Sequence, residues 1–237
     1  MDVDLNADLG ESPERWASGE DVALLDVVTS ANVCCGAYAG DEELMRLTCE
    51  AAVARGVTIG AQVGYPDRRN FGRAPYVMSR PGLRDDVRRQ IDLLDTIAHE
   101  AGGTVAYVKP HGALYNAIVH DEQQASAVVE ALDDRDLPLL GLPGSVSLRL
   151  AEEVGLRTVL EGFADRGYLP DGALVPRNEP GAVLSDVGDV AVQAVRLLHA
   201  GVESICIHSD SPGALDLARI VRAALEHAGA RLTSATI

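Results

Sequence analysis

Strand-like and helix-like segments alternate along the whole of this chain, and no other feature limits its possible folds as strongly. Strand candidates fall at 3–8 (VDLNAD), 27–33 (VVTSANV), 57–63 (VTIGAQV), 104–109 (TVAYVK), 137–142 (LPLLGL), 157–162 (RTVLEG) and 204–209 (SICIHS). Helix candidates at 41–56, 83–102, 121–133, 145–155, 185–201 and 213–229 repeat apolar residues at three- and four-residue spacing, and several end in a glycine suited to a C-cap. Such a succession specifies a parallel sheet with right-handed crossovers. Seven strands suffice to curl into an irregular α/β barrel. The alternative, an open doubly wound sheet, would place a Gly-rich phosphate loop after the first strand, and LNADLGESPE contains neither GxGxxG nor GKS/T. The one long stretch dense in Pro and Gly, 168–186, reads as an extended loop with a short strand at ALVP.

The 237 residues suit a single α/β barrel domain spanning 1–237, since such barrels take roughly 250 residues. Aromatics make up only 4%, so the core must be built from Val, Leu, Ile and Ala. A net charge of -16 repels phosphate backbones and anionic lipid, which argues against nucleic acid and membranes as partners. The opening MDVDLNADLGE has neither a basic nor an apolar leader region, and no run reaches the length of a membrane span, so a cytoplasmic location is expected. Cys34, Cys35, Cys49 and Cys206 do not form a zinc pattern and read as small buried hydrophobes. Ser145 lacks the GxSxG context of a nucleophile elbow and reads as a helix N-cap.

The polar residues fall where strands end. Asp4, Asn6 and Asp8 alternate on the first strand, Asn32 lies on the second, Gln62 on the third, and Lys109 and His111 follow the fourth. Asp165 and Arg166 follow the sixth, and His208 and Asp210 the last. In a parallel barrel those ends meet at one face, where the following loops converge on a site above an apolar strand core. Each residue has a bland reading too: His111 and His208 as satisfied core histidines, Lys109 as a surface cation, Asp165-Arg166 as an ion pair holding a loop. Their coincidence at successive strand ends favours function.

The segments DLNADLGE, SANVCCGAYAGD, GAQVGYPDRRNFGR, VKPHGALYN, FADRGY and CIHSD resemble the LamB/YcsF family over essentially the whole chain. The resemblance implies an irregular seven-stranded (β/α) barrel of the glycoside hydrolase/deacetylase type. It also implies ATP-dependent opening of the 5-oxoproline lactam to L-glutamate, with the B and C subunits of a 5-oxoprolinase as partners. Tyr38 stands where the family usually has His, Ala74 where it has a second Arg, Ser209 where it has Gly, and Gln62 where many members have His. For that chemistry Asp8, His111 and Lys109 are the catalytic candidates. Asn6, Asn32, Gln62, Arg73, Asp165, Arg166 and His208 are the substrate-binding ones. ATP is expected to be used by the complex, and no tightly bound metal is expected because Gln62 is a poor zinc ligand. Two other readings stay open: a metal-dependent amide or ester hydrolase of the deacetylase kind, and a non-catalytic binding subunit that kept the barrel. Self-association into a homo-oligomer is compatible with the sequence.

Overall fold

The alternation of short β-rich runs with amphipathic ones resolves into a closed ring. In the computed structural model, described over residues 1–236, the strands are β1 Asp2–Leu9, β2 Ser30–Cys34, β3 Thr58–Val63, β4 Val105–Pro110, β5 Leu139–Gly141, β6 Thr158–Phe163 and β7 Ser204–Ile207. Each pairs in parallel with the next, and β1 pairs with both β2 and β7, closing a seven-stranded barrel. An eighth strand, β8 Arg231–Leu232, attaches to the start of β1 and was not expected from the sequence. The second strand begins at Ser30 rather than 27, because Val27 and Val28 donate their amides to the Leu24 carbonyl in a turn.

Among the described residues, nine α-helices surround the ring: α1 Pro13–Ser18, α2 Glu20–Leu25, α3 Glu42–Val53, α4 Arg80–Glu100, α5 Gly112–Ala117, α6 Glu122–Leu132, α7 Val146–Glu153, α8 Val187–His199 and α9 Ala214–His227. Their starts are written in side chains. Asp41, Ser79, Asp121, Ser145 and Asp186 each accept a hydrogen bond from a first-turn amide, satisfying donors the helix itself cannot. Three short helices were missed, since six residues make too few turns to show a helical period in sequence. The stretch at 168–186 is extended as expected, but ALVP contributes only an isolated antiparallel bridge, Tyr168 to Leu174.

The main apolar core lies outside the ring, between strands and helices. Val3, Leu5, Ala7 and Leu9 of β1 face outward into it, together with Leu83, Val87, Ile91 and Leu94 of α4 and Leu217 and Val221 of α9. The alternate residues point inward, and here the structure differs from the expected apolar strand core. Asp4, Asn6, Asp8, Ser30, Asn32, Lys109, Glu161 and Ser204 are all buried within a polar barrel interior. Burial of so many polar groups is tolerable because they satisfy one another. Asp4, for example, accepts from the hydroxyls of Thr29, Ser30 and Ser204 near the strands' N-terminal side. It therefore lies below the end where Asp8 stands. Tyr107 fills the remaining interior space against Gly60, where any Cβ would overlap its ring.

Candidate active site

Two inward positions on β1 and one on β4 set the floor of the site. Lys109 is only 2% exposed. Its Nζ lies 3.1 Å from Asp8 Oδ1, 2.9 Å from Glu161 Oε1, 3.1 Å from Asn6 Oδ1 and 2.9 Å from Cys206 Sγ. Asn32 Nδ2 donates to both Asn6 Oδ1 and Asp8 Oδ1, and Tyr107 Oη donates to Asn32 Oδ1. Burial alone would push the Asp8 carboxyl up, but Lys109, His208, His111 and the Asn32 hydrogen bond hold it well below the ordinary carboxylate range. Burial likewise opposes the Lys109 charge, while Asp8, Cys206 and Glu161 outweigh it and hold the ammonium protonated. Lys109 is also the only lysine of the chain, every other basic residue being arginine or histidine. A compact ammonium fits between two carboxylates where a planar guanidinium would not.

Above this layer sits His111, the N-cap of α5. Gly112, at φ +57, turns the chain immediately after it so that Ala113 can donate its amide to the Gly72 carbonyl. His111 Nε2 lies 3.2 Å from the Phe71 carbonyl, an acceptor, so this nitrogen carries the proton and donates it there. Nδ1, the remaining acceptor, lies 3.2 Å from Gln62 Nε2. Burial lowers its pKa to about 3, with Asp8 opposing and Arg73 assisting, so His111 is neutral near pH 7.

Glu11, which the sequence did not single out, completes the group. Its Oε1 is 3.6 Å from His111 Nδ1 and 2.9 Å from Tyr38 Oη, and the Tyr38 ring stacks on His111 at 3.9 Å between centroids. Burial raises the Glu11 carboxyl to about 8, and Asp8 and Asp210 add to the rise. The site thus holds an ionised carboxylate, a protonated carboxylic acid and a neutral imidazole together. Potential ligand atoms of Asp8, Glu11 and His111 lie within 4.8 Å of one another.

These groups open into a cavity of ≈ 920 Å³ lined by Asp8, Lys109, His111, Tyr115, Phe163 and His208, with Arg73, Arg166 and Arg177 on its walls. Of the residues expected to bind substrate, Arg73, Arg166 and His208 reach this cavity, whereas Asn6, Asn32, Gln62 and Asp165 lie behind its lining. Asn6 and Asn32 support the Asp8–Lys109 layer, and Gln62 orients His111. Asp165 holds His208, with Oδ1 2.9 Å from Nδ1, and accepts from Ser211 Oγ at 2.8 Å. Burial pushes the Asp165 carboxyl up, but His208 and these hydrogen bonds keep it below its usual value. Arg166 spends its guanidinium on the Ala182 and Val175 carbonyls, and so is not the partner of Asp165. Tyr115 was also missed; the residue lines the cavity, and its hydroxyl is buried without a hydrogen-bond partner among the described residues.

The family model described as LamB/YcsF matches residues 3–237. Curated relatives named as the A subunit of 5-oxoprolinase include one from Kocuria rhizophila, 51% identical over 247 residues and covering 98% of each chain. Another, from Streptomyces avermitilis, is 50% identical over 98% of this chain and 99% of its own. Among solved structures, the lactam utilization protein from Thermus thermophilus superposes with a TM-score of 0.90 at 38% identity, over 98% of this chain and 99% of that one. A polysaccharide deacetylase from Bacillus cereus shares the fold alone, with a TM-score of 0.53 at 12% identity, over 98% of this chain and 91% of its own.

Proposed function

This chain belongs to the LamB/YcsF family, and from that premise we propose that it is the A subunit of an ATP-dependent 5-oxoprolinase, opening the 5-oxoproline lactam to L-glutamate together with B and C subunits in the cytoplasm. The observation that carries this reading is identity of about half the residues, over nearly full length, with relatives named for that role. The geometry supports lactam chemistry in particular. Ring opening needs a water deprotonated as its oxygen adds to the carbonyl carbon, and a proton for the ring nitrogen as the C–N bond breaks. Asp8, kept anionic by Lys109, takes the water proton. Glu11, protonated at neutral pH, supplies the nitrogen's proton, and His111 relays it when Nδ1 trades the Gln62 amide for the Glu11 hydroxyl and Nε2–H leaves the Phe71 carbonyl for the ring nitrogen. Carboxyl groups pushed to opposite protonation states by their surroundings are what acid–base division of labour requires.

Lys109, engaged by two carboxylates, holds Asp8 rather than receiving the substrate's anionic group, which falls to Arg73 at the cavity wall. The described residues do not form a triphosphate cradle: β1 ends at the ionised Asp8, whose carboxylate repels phosphate. ATP use is therefore assigned to the partners, and the hydrolytic half to this chain. A metal-dependent hydrolase is the second reading, favoured by the closeness of Asp8, Glu11 and His111. Against it, the Gln62 amide already occupies the His111 nitrogen a metal would need. Co-expression with the partner subunits and assay of 5-oxoproline turnover tests the first reading, with absence of glutamate formation as the result that refutes it.

A further inference from the structure

The cavity holds a second constellation apart from the acid–base group. Asp210, just beyond β7, is shared by two arginines. Arg73 Nη2 lies 2.6 Å from its Oδ2, whereas Arg177 reaches Oδ2 at 3.3 Å and Oδ1 at 3.5 Å. All three side chains are 29–30% exposed, and the two arginines line the cavity wall. We propose that Arg177, with Arg73, clamps the carboxylate of the substrate, and that Asp210 holds the two guanidiniums in place until that carboxylate arrives. The proposal rests on the 5-oxoproline reading and adds the residue that would distinguish carboxylated lactams from plain ones.

Three observations carry it. The first is charge: two guanidiniums against one carboxylate leave an excess positive charge, on a chain whose net charge of -16 repels anions elsewhere. The long contacts of Arg177 to Asp210 mark it as the less committed of the two, and its planar fork can meet a second carboxylate in two parallel hydrogen bonds.

The second is how Arg177 is held. It lies in the long loop after β6, which Arg166 pins by donating to the Val175 carbonyl at 2.6 Å and the Ala182 carbonyl at 2.8 Å. Backbone bonds from Gly167 to Ala182 and from Val175 to Gly167 fasten the same loop. Arg166 thus serves the cavity indirectly, by fixing the segment that delivers Arg177.

The third is position. The Arg73 guanidinium stacks 4.8 Å from the centroid of Phe71, whose ring packs edge-on against His111 and whose carbonyl fixes His111 Nε2. In 5-oxoproline the carboxylate carbon is two bonds from the ring nitrogen. An anion seated on Arg73 and Arg177 therefore brings the scissile amide toward His111, while a lactam without the carboxylate has nothing to orient it.

The experiment measures binding of 5-oxoproline, 2-pyrrolidinone and inorganic phosphate to the full chain by calorimetry or ligand-observed NMR. Arg177→Gln should weaken 5-oxoproline binding roughly 10- to 100-fold, the range for losing a charge-assisted hydrogen-bond pair, and leave 2-pyrrolidinone unchanged. Arg177→Lys should recover part of the loss, because it keeps the charge without the fork. The clamp is overturned if Arg177→Gln binds 5-oxoproline like the unaltered chain, or if both lactams weaken equally, which would signal damage to the cavity. It is also overturned if phosphate alone loses affinity, since the arginines would then serve a phosphoryl group. If the unaltered chain binds no 5-oxoproline at all, the parent reading fails and takes the clamp with it.

Discussion

At the scale of single residues the site is a division of protons among Asp8, Glu11 and His111, and each has a measurable consequence. His111→Ala should cost roughly 10²- to 10⁴-fold in kcat of the partner-supported reaction, the range for a lost acid–base group, with a folded protein remaining. An unchanged kcat beside a lowered Tm would mean that the imidazole is only packing. Glu11 sets the alkaline limit: with a pKa of about 8 it loses its proton there, so activity should fall above that pH. The sign for stability follows from the same shift. A carboxyl that binds its proton more tightly folded than unfolded makes stability decline as pH rises from the unfolded value, near 4.5, through about 8. Glu11→Gln removes that decline, so between pH 5 and 9 the Tm of the variant should drop less than that of the parent protein. His111 acts oppositely at the acid end. Its pKa of about 3 is lower folded than unfolded, so stability falls as pH drops below the ordinary histidine value. Glu11 was invisible in the sequence because DLGE looks like an acidic turn before a helix. Only the placement of that turn beside β4 brings it to His111.

At the scale of elements, the seven barrel strands and six longer helices were legible, because period-two and period-3.6 patterns survive wherever one face meets the core. The alternation of Asp4, Asn6 and Asp8 was legible too, but its meaning was not. Alternating polar residues ordinarily face water; here they face a closed ring whose opposite strands supply their partners, a fact about strands far apart in sequence. The same ring changes what Lys109 does. Expected as a catalytic cation, it is the counter-charge of two buried carboxylates on β1 and β6. Lys109→Met would leave Asp8 and Glu161 uncompensated in the barrel, and breaking a buried pair this way costs roughly 3–5 kcal/mol. Chemical denaturation should show a lower midpoint with little change in slope. A variant as stable as the parent would mean that the interior is more hydrated than its burial implies. Lys109→Arg should also destabilise, since the guanidinium needs space and partners that Asn6 and Cys206 do not leave.

At the scale of the whole molecule, the question is which part of the proposed ATP-coupled lactam hydrolysis this barrel can perform alone. An amide nitrogen donating into its carbonyl makes 5-oxoproline a poor electrophile, and none of the described residues at the cavity floor supplies the activation. The fixed cations near the acid–base group are a lysine committed to carboxylates and arginines paired to Asp210 or to backbone carbonyls. Tight metal binding is not expected to substitute for activation, because the Gln62 amide engages His111 Nδ1 and leaves carboxylates as the remaining donors. The purified chain should therefore carry no stoichiometric transition metal, form no glutamate from 5-oxoproline, and consume no ATP in its presence. Adding the B and C subunits should yield glutamate and ADP together, and His111→Ala in this chain should suppress glutamate. Elemental analysis, glutamate assay and ADP release on the same preparations separate the cases. About one tightly held metal per chain with amidase activity alone would favour the deacetylase-like reading. ATP consumption by the isolated chain would show that activation lies within the barrel after all. Glutamate formation indifferent to His111→Ala would move the chemistry to the partners and leave this barrel with a binding role alone.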